Sequence, residues 1–152
     1  MGNNVLLGGF EMIINSFEGE KINSDVCIHD CIFNKMDFDY NSKIIYVFLS
    51  EPDVVIVYYN VIGFFSKTCD FWGKSPHVFA WKYITKDNSK IIKELITENE
   101  SHNYMSCKLK DDKSYIESVI ITASGDKLQI ACERIEVRTT KTGDGSLSSD
   151  EK

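Results

Sequence analysis

The pattern of apolar and polar positions predicts a chain built mainly from β-strands. Its strongest signal is residues 44–65, IIYVFLSEPDVVIVYYNVIGFF, where two runs rich in β-branched and aromatic residues flank Ser50, Glu51, Pro52 and Asp53. Residues 44–49 and 54–59 are each about as long as an average strand and the break between them is turn-forming, so they predict a hairpin. Nearly every position in both runs is apolar. That predicts cover on both faces of the hairpin, supplied by the amphipathic helix and terminal hairpin described below.

Upstream, residues 10–14 read as a first strand and residues 26–33 as containing a second, with a polar turn at Glu18, Gly19, Glu20 and Lys21 between them. Ile32, Met36 and Phe38 then share one parity while Lys35, Asp37 and Asp39 share the other, as in a strand with one wet face. Asn41 and Ser42 turn the chain into the central hairpin. Beyond it, residues 61–68 keep β character, and Gly63 marks a bulge or a close contact, because an interior glycine weakens a strand unless its missing side chain is useful. Residues 71–77 are irregular, interrupted by Gly73 and Pro76, and residues 78–85 predict a short strand.

Residues 88–99 hold the best helix signal: Ile91, Ile92, Leu95 and Ile96 form an apolar stripe, with Asn88 or Ser89 placed to cap the first turn. The isoleucine-rich residues 90–96 also fit a strand. Residues 104–109 suggest another short strand. A last hairpin follows from residues 115–123 and 127–137, joined at Ser124, Gly125 and Asp126. Along its second arm Leu128, Ile130 and Cys132 lie on one parity and Ile135 and Val137 on the other, a change that a bulge near Glu133 and Arg134 would reconcile. Antiparallel pairing through local turns then gives a mainly β domain over residues 1–138, an antiparallel sandwich or strongly curled sheet with one short helix. Residues 139–152 are polar, glycine- and serine-rich, and read as a flexible tail.

Composition narrows the function classes. A chain of 152 residues with 43% hydrophobic and 12% aromatic residues can bury one ordinary core. A net charge of -6, from 23 acidic and 17 basic residues, argues against broad attraction to nucleic acid or anionic lipid. No stretch resembles a secretory signal or approaches the roughly 18 apolar residues of a membrane span, so cytoplasmic residence is expected. Leu6 stands where a myristoylation signal beginning at Gly2 wants Ser or Thr. Cys27, Cys31, Cys69, Cys107 and Cys132 are odd in number and lack close pairs, which favours free thiols over a disulfide framework.

Two segments carry unusual chemistry. His29, Asp30 and Cys31 put an imidazole and a thiol on one strand face if the strand has begun, and an Asp30 to His29 bond organising a turn is the plainer expectation. Residues 69–77, CDFWGKSPH, combine aromatics with directional polar groups: either Phe71 and Trp72 plug one end of the core while Asp70 ties the loop down, or the segment forms a recognition surface. The recognition candidates are His29, Asp30, Asp70, Phe71, Trp72, Lys74 and His77. No spacing demands a metal or other cofactor, and Gly73, Lys74 and Ser75 lack the upstream glycine of a phosphate-binding loop. Thiol- or metal-assisted hydrolysis at a cleft holding His29, Cys69, Asp70 and His77 is the enzymatic alternative. Asp37 and Asp39 share a face as paired carboxylates would, but adjacent acids on a strand are ordinarily solvated. Tyr40, Tyr58, Tyr59, Phe64 and Phe65 favour packing over stacking on nucleic-acid bases, given the acidic balance. A further alternative places a small molecule inside a curled sheet lined by the aromatic-rich strands.

Through His29-Asp30-Cys31, the residues 69–77 motif and Trp81-Lys82-Tyr83, the chain resembles small uncharacterised proteins of Gram-positive bacteria, some adjacent to polymorphic-toxin genes. The resemblance covers most of residues 26–137. It implies a cytoplasmic toxin-neutralising or other protein-binding role and transfers no catalytic residue. Cys31 departs from the pattern, which has a small polar residue after the His-Asp pair. The expected function is therefore non-catalytic protein binding, with Glu18, Glu20, Asp25, Asp30, Asp37 and Asp39 suiting a partner with a basic surface.

Overall fold

The computed structural model describes residues 28–69, 71–101 and 114–139, together with the backbone of residues 11–13, 16–18 and 21–23. Its strands are β1 (Glu11–Ile13), β2 (Ser16–Glu18), β3 (Lys21–Asn23), β4 (Ile32–Asp39), β5 (Ile44–Ser50), β6 (Val54–Tyr59), β7 (Gly63–Lys67), β8 (Val78–Thr85), β9 (Ile116–Thr122), β10 (Lys127–Cys132) and β11 (Arg134–Thr139). A single helix among the described residues, α1 (Lys90–Ser101), follows a short 3-10 turn at Lys86–Asn88. The strands form two antiparallel sheets. The first runs β1-β11-β6-β5-β4 and the second β2-β3-β8-β9-β10-β7, consistent with a β-sandwich.

The central hairpin is β5 and β6. Ile45, Val47 and Leu49 alternate into the core opposite Tyr58, Ile56 and Val54, all nearly inaccessible. Each such aliphatic side chain contributes roughly 1.5–3 kcal/mol of burial free energy. The outer face differs from the expected full cover. Val57 is fully buried there, but Tyr46 and Phe48 are half-buried, stack on each other at 6.3 Å, and are covered in part by Lys35, whose ammonium lies 4.9 Å from the Phe48 ring centre.

Parity breaks mark two further corrections. In β4 the register shifts between Phe33 and Lys35, so Asn34 is an inserted residue and Phe33, opposite Leu49, joins Met36 against the core. Ile32 instead faces Ser50. At residues 132–134 the expected bulge is a change of sheet: β10 pairs with β9 and β7 in the second sheet, and β11 pairs with β6 and β1 in the first. Cys132 and Ile135 are both inward because the core lies on opposite sides of the two sheets.

The β6 to β7 connection crosses beside it. Glu133 N–H donates to the Tyr59 carbonyl (3.0 Å) and Ile62 N–H to the Ala131 carbonyl (2.9 Å), which carries the β6–β11 ladder on into β7–β10. A second seam joins the sheets through an isolated bridge between Ile32 and His77, flanked by Asp30 N–H to Val78 O (2.8 Å) and Val78 N–H to Cys31 O (2.8 Å). Inside, Trp81 Nε1–H donates to Ser118 Oγ (3.0 Å), which also shares a hydrogen bond with the Tyr58 hydroxyl (3.2 Å). Burial holds the Tyr58 hydroxyl well above the ordinary tyrosine range.

Helix α1 covers the outer face of the second sheet rather than the central hairpin. Ile92 and Ile96 pack with Tyr115, Ala131, Ile62 and Leu95. Gly63 is the close approach read from the sequence: a Cβ there would lie 2.7 Å from Leu95 Cδ1. Ser89 is the cap, its Oγ accepting from Ile92 N–H (3.1 Å) and donating to the buried Glu117 Oε1 (2.7 Å). Gln129 Nε2 donates to the other Glu117 oxygen (2.7 Å), so this buried carboxylate is hydrogen-bonded at both ends. The short strand expected over residues 104–109 and the polar tail after Thr139 lie outside the described residues.

Candidate functional site

The segment that follows β7 is held against the β9–β10 turn, and the clamp is built from short polar side chains. Gly125 takes the positive φ of 90° that this turn requires, and a Cβ on it would come within 3.0 Å of Cys69 Cβ. Asp126 N–H donates to Thr122 Oγ1 (3.2 Å), which places the Asp126 carboxylate under the loop. Its Oδ1 accepts from Thr68 Oγ1 (2.9 Å) and Cys69 N–H (3.2 Å), and its Oδ2 from Thr122 Oγ1 (3.3 Å). Thr68 Oγ1 in turn accepts from Trp72 N–H at 2.6 Å. Farther along, Ser75 N–H donates to Ser124 Oγ (2.9 Å) and Ala123 N–H to the His77 carbonyl (2.8 Å).

Phe71 and Trp72 do not plug the core. They are 89% and 58% exposed, and both sit at left-handed φ, 52° and 59°. Two bulky residues in that region of backbone space are costly, of order 1–3 kcal/mol each, and persist only where the surroundings dictate them. Asp70, read as the residue that ties the loop down, lies outside the described residues; Asp126 does that work. Neither Asp126 nor its partners stand out in sequence, because a threonine and aspartate flanking a glycine turn are ordinary turn chemistry.

The two sequence motifs are brought together. The seam at Ile32 and His77 sets the His29–Asp30 turn beside the end of the loop. His29 Nδ1 lies 3.3 Å from Asp30 Oδ2, both side chains are exposed, and Asp30 takes a positive φ of 74°. The His29 ring is 6.1 Å from Phe79, a 61% exposed aromatic of β8. Lys74 and His77 are exposed as well. Cys31 parts company with His29: the chain turns between them, and Cys31 is buried with its Sγ directed to the Pro52 carbonyl at 3.9 Å.

Of the residues in the hydrolytic reading, Asp70 lies outside the described residues. Cys69 is exposed, with its Sγ 3.2 Å from the Cβ position of Gly125. Among the described residues no group of three or more His, Cys, Asp and Glu side chains is placed to hold a metal ion. Asp37 pairs with Lys35 (3.4 Å) and Asp39 Oδ1 accepts from Ser42 N–H (3.2 Å), so these two carboxylates serve the strand face and its turn.

Beneath Trp72 lies a cavity of about 340 Å³, open to solvent on one side. Phe33 and Met36 of the first sheet and Ile120 and Leu128 of the second form its walls, with Trp72 and Pro76 at the loop side. It is not lined by the aromatic-rich central hairpin, whose inward side chains pack in the core. Beyond it, Phe38 of edge strand β4 meets Phe64 of edge strand β7 edge-on at 5.1 Å, and Tyr40 at 6.2 Å.

A separate polar cluster occupies the outer face of the first sheet. Tyr59 OH donates to Glu136 Oε1 (2.7 Å) and accepts from Arg138 Nη2 (2.9 Å), while Arg134 pairs with Glu136 and lies 3.9 Å over the Tyr59 ring. Burial and the Glu136 carboxylate raise the Tyr59 pKa. No described helix is long and apolar enough to cross a membrane. No protein-family model matches the chain, and no curated protein matches it significantly.

Proposed function

We propose that the chain is a non-catalytic protein-binding protein of the cytoplasm, recognising its partner through the 68–77 loop and the adjoining His29–Asp30 turn. The observation that carries this reading is the exposure of Phe71 and Trp72 on a loop whose backbone is clamped by Asp126, Ser124 and Thr68. Large aromatics provide much of the energy of protein interfaces, and a loop already held in shape loses little conformational entropy on docking. Phe79 and His29 extend the same surface.

The partner is a protein with a basic surface around an apolar centre. Supporting this are the net charge of -6 and the exposed Asp30, Asp37 and Asp39. Neutralisation of a toxin is the form of this function that the family resemblance suggests.

The test is affinity capture from a lysate of the encoding organism with wild-type protein and with Phe71→Ser/Trp72→Ser. A stoichiometric partner that is retained by the wild type and lost from the double variant is expected. Equal capture by both, or no partner at all, rejects the reading.

A further inference from the structure

The cavity under Trp72 carries one buried charge in an otherwise apolar wall. Its volume of about 340 Å³ exceeds the ~150 Å³ apolar cavity that holds a benzene and enters the ~300–1,000 Å³ range of ligand sites. Phe33, Met36, Ile120 and Leu128 give it a lining suited to hydrocarbon. Asp126, two residues before the inward Leu128, and Thr122, two after the inward Ile120, keep the parity of the interior and border the cavity as well. Lys127 alternates with Asp126 and Leu128, so its side chain projects to the helix side of the sheet and brings no ammonium inside.

Asp126 is only 8% exposed, and burying a carboxylate is costly unless it is both hydrogen-bonded and paired with a cation. Thr68, Cys69 and Thr122 meet the first condition, with neutral donors to three of the carboxylate's roughly four acceptor sites. The second is unmet, because no lysine, arginine or histidine among the described residues pairs with this carboxylate. The cavity therefore repels an anion and offers a place to a cation. An indole stands at the same end: the Thr68 hydroxyl that donates to Asp126 accepts the Trp72 N–H, and Trp72 borders the cavity. Indole is the side-chain ring that attracts an ammonium most strongly. We infer that this cavity binds a small apolar amine, such as an arylalkylamine, with its hydrocarbon body between the sheets and its ammonium at the Asp126 carboxylate and the Trp72 ring. The site goes beyond the protein-binding reading and does not use Phe71, which does not line the cavity.

The experiment is calorimetric titration of the full chain at neutral pH and low salt with three probes that share a ring system and differ in charge: cationic 2-(1-naphthyl)ethylamine, neutral 2-(1-naphthyl)ethanol and anionic 1-naphthylacetate. Saturable one-to-one binding of the amine is expected, about tenfold tighter than the alcohol, with the acetate weakest. Asp126→Asn keeps an oxygen to accept from Thr68 and Cys69 and removes the charge; it should bring the amine to within about twofold of the alcohol and leave the alcohol's own affinity unchanged. Ser66→Trp, at an exposed position bordering the cavity, fills the entrance and should weaken amine and alcohol alike, by about tenfold or more. If Asp126→Asn unsettles the loop, the order of the three probes on the wild type and their loss from Ser66→Trp decide the matter. Absence of saturable binding, an amine no tighter than the alcohol, an amine preference that survives in folded Asp126→Asn, or undiminished binding by folded Ser66→Trp overturns the inference. The titration uses the purified chain alone, so its outcome and that of partner capture are read separately.

Discussion

Asn60 Nδ2 donates to Glu133 Oε1 at 2.6 Å, and the two residues occupy the points where neighbouring strands leave one sheet for the other. Asn60 has a φ of 54°, a conformation that asparagine tolerates better than most residues. The bond therefore locks two chain crossings with one pair of side chains. Asn60→Gly keeps the backbone conformation and loses the hydrogen bond, at a cost of roughly 1 kcal/mol. Asn60→Ala loses the bond and also strains the backbone, adding roughly 1–2 kcal/mol. Urea unfolding of both variants is expected to show this order, and equal stabilities would mean that the left-handed conformation is not imposed by the crossing.

Ser118 holds the polar centre of the core. Ser118→Ala leaves the Trp81 indole N–H and the Tyr58 hydroxyl without their shared partner, and is expected to cost about 1–3 kcal/mol. Tyr58→Phe removes one hydroxyl while Ser118 still receives the indole, so it should cost less. Chemical denaturation gives the order, and near-UV circular dichroism reports the Trp81 environment.

Asp126 is expected to govern the order of the recognition loop more than the stability of the sheets. Asp126→Ala removes the acceptor for Thr68 Oγ1 and Cys69 N–H and thereby frees the threonine that holds Trp72 N–H. Fluorine NMR of 5-fluorotryptophan protein should show the Trp72 resonance shift and sharpen toward a mobile side chain, with the Trp81 resonance unchanged. A Trp72 resonance that stays as in the wild type would assign the clamp to other contacts.

The thiols separate by burial. Cys69 is exposed and should be alkylated in the native protein, whereas Cys31 and Cys132 should react only on unfolding, as peptide mapping after labelling would show. Burial pushes the Cys132 thiol from 9.0 up to about 12. The folded state thus holds its proton longer than the unfolded chain. The stability linked to this group is fully present below about pH 9 and is lost as pH rises toward 12. Tyr58, raised in the same direction, adds to the loss. Cys132→Ala should flatten the alkaline fall in melting temperature, and an unchanged slope would remove Cys132 as a source.

Local chemistry was legible in the chain itself. The strand periods of residues 44–49 and 54–59, the isoleucine stripe of α1, the Ser89 cap, the Gly125 turn and the close contact at Gly63 depend on neighbours within a few positions, and their residue types announce them. Parity was legible too, but not its cause: a phase change at Glu133 is satisfied equally by a bulge and by a strand that changes sheets, and only pairing with β6 and β1 decides between them. Likewise Asn34 is an inserted residue only because Phe33 and Lys35 find consecutive partners, Leu49 and Phe48, across the ladder.

The candidate site was visible as an unusual composition and invisible as a geometry. Residues 69–77 could have packed inward or stood outward, since Phe71 and Trp72 satisfy either. What turns them out is Asp126, 57 positions from Cys69 in the chain. The cavity arises in the same way, from Phe33, Met36, Ile120 and Leu128 meeting across sheets. The sequence by itself determined which segments are strands and helix, because periodicity and turn chemistry act over a few residues. The tertiary structure alone decided which side chains share a core, a loop or a mouth, because those contacts join residues that the chain's local order does not relate.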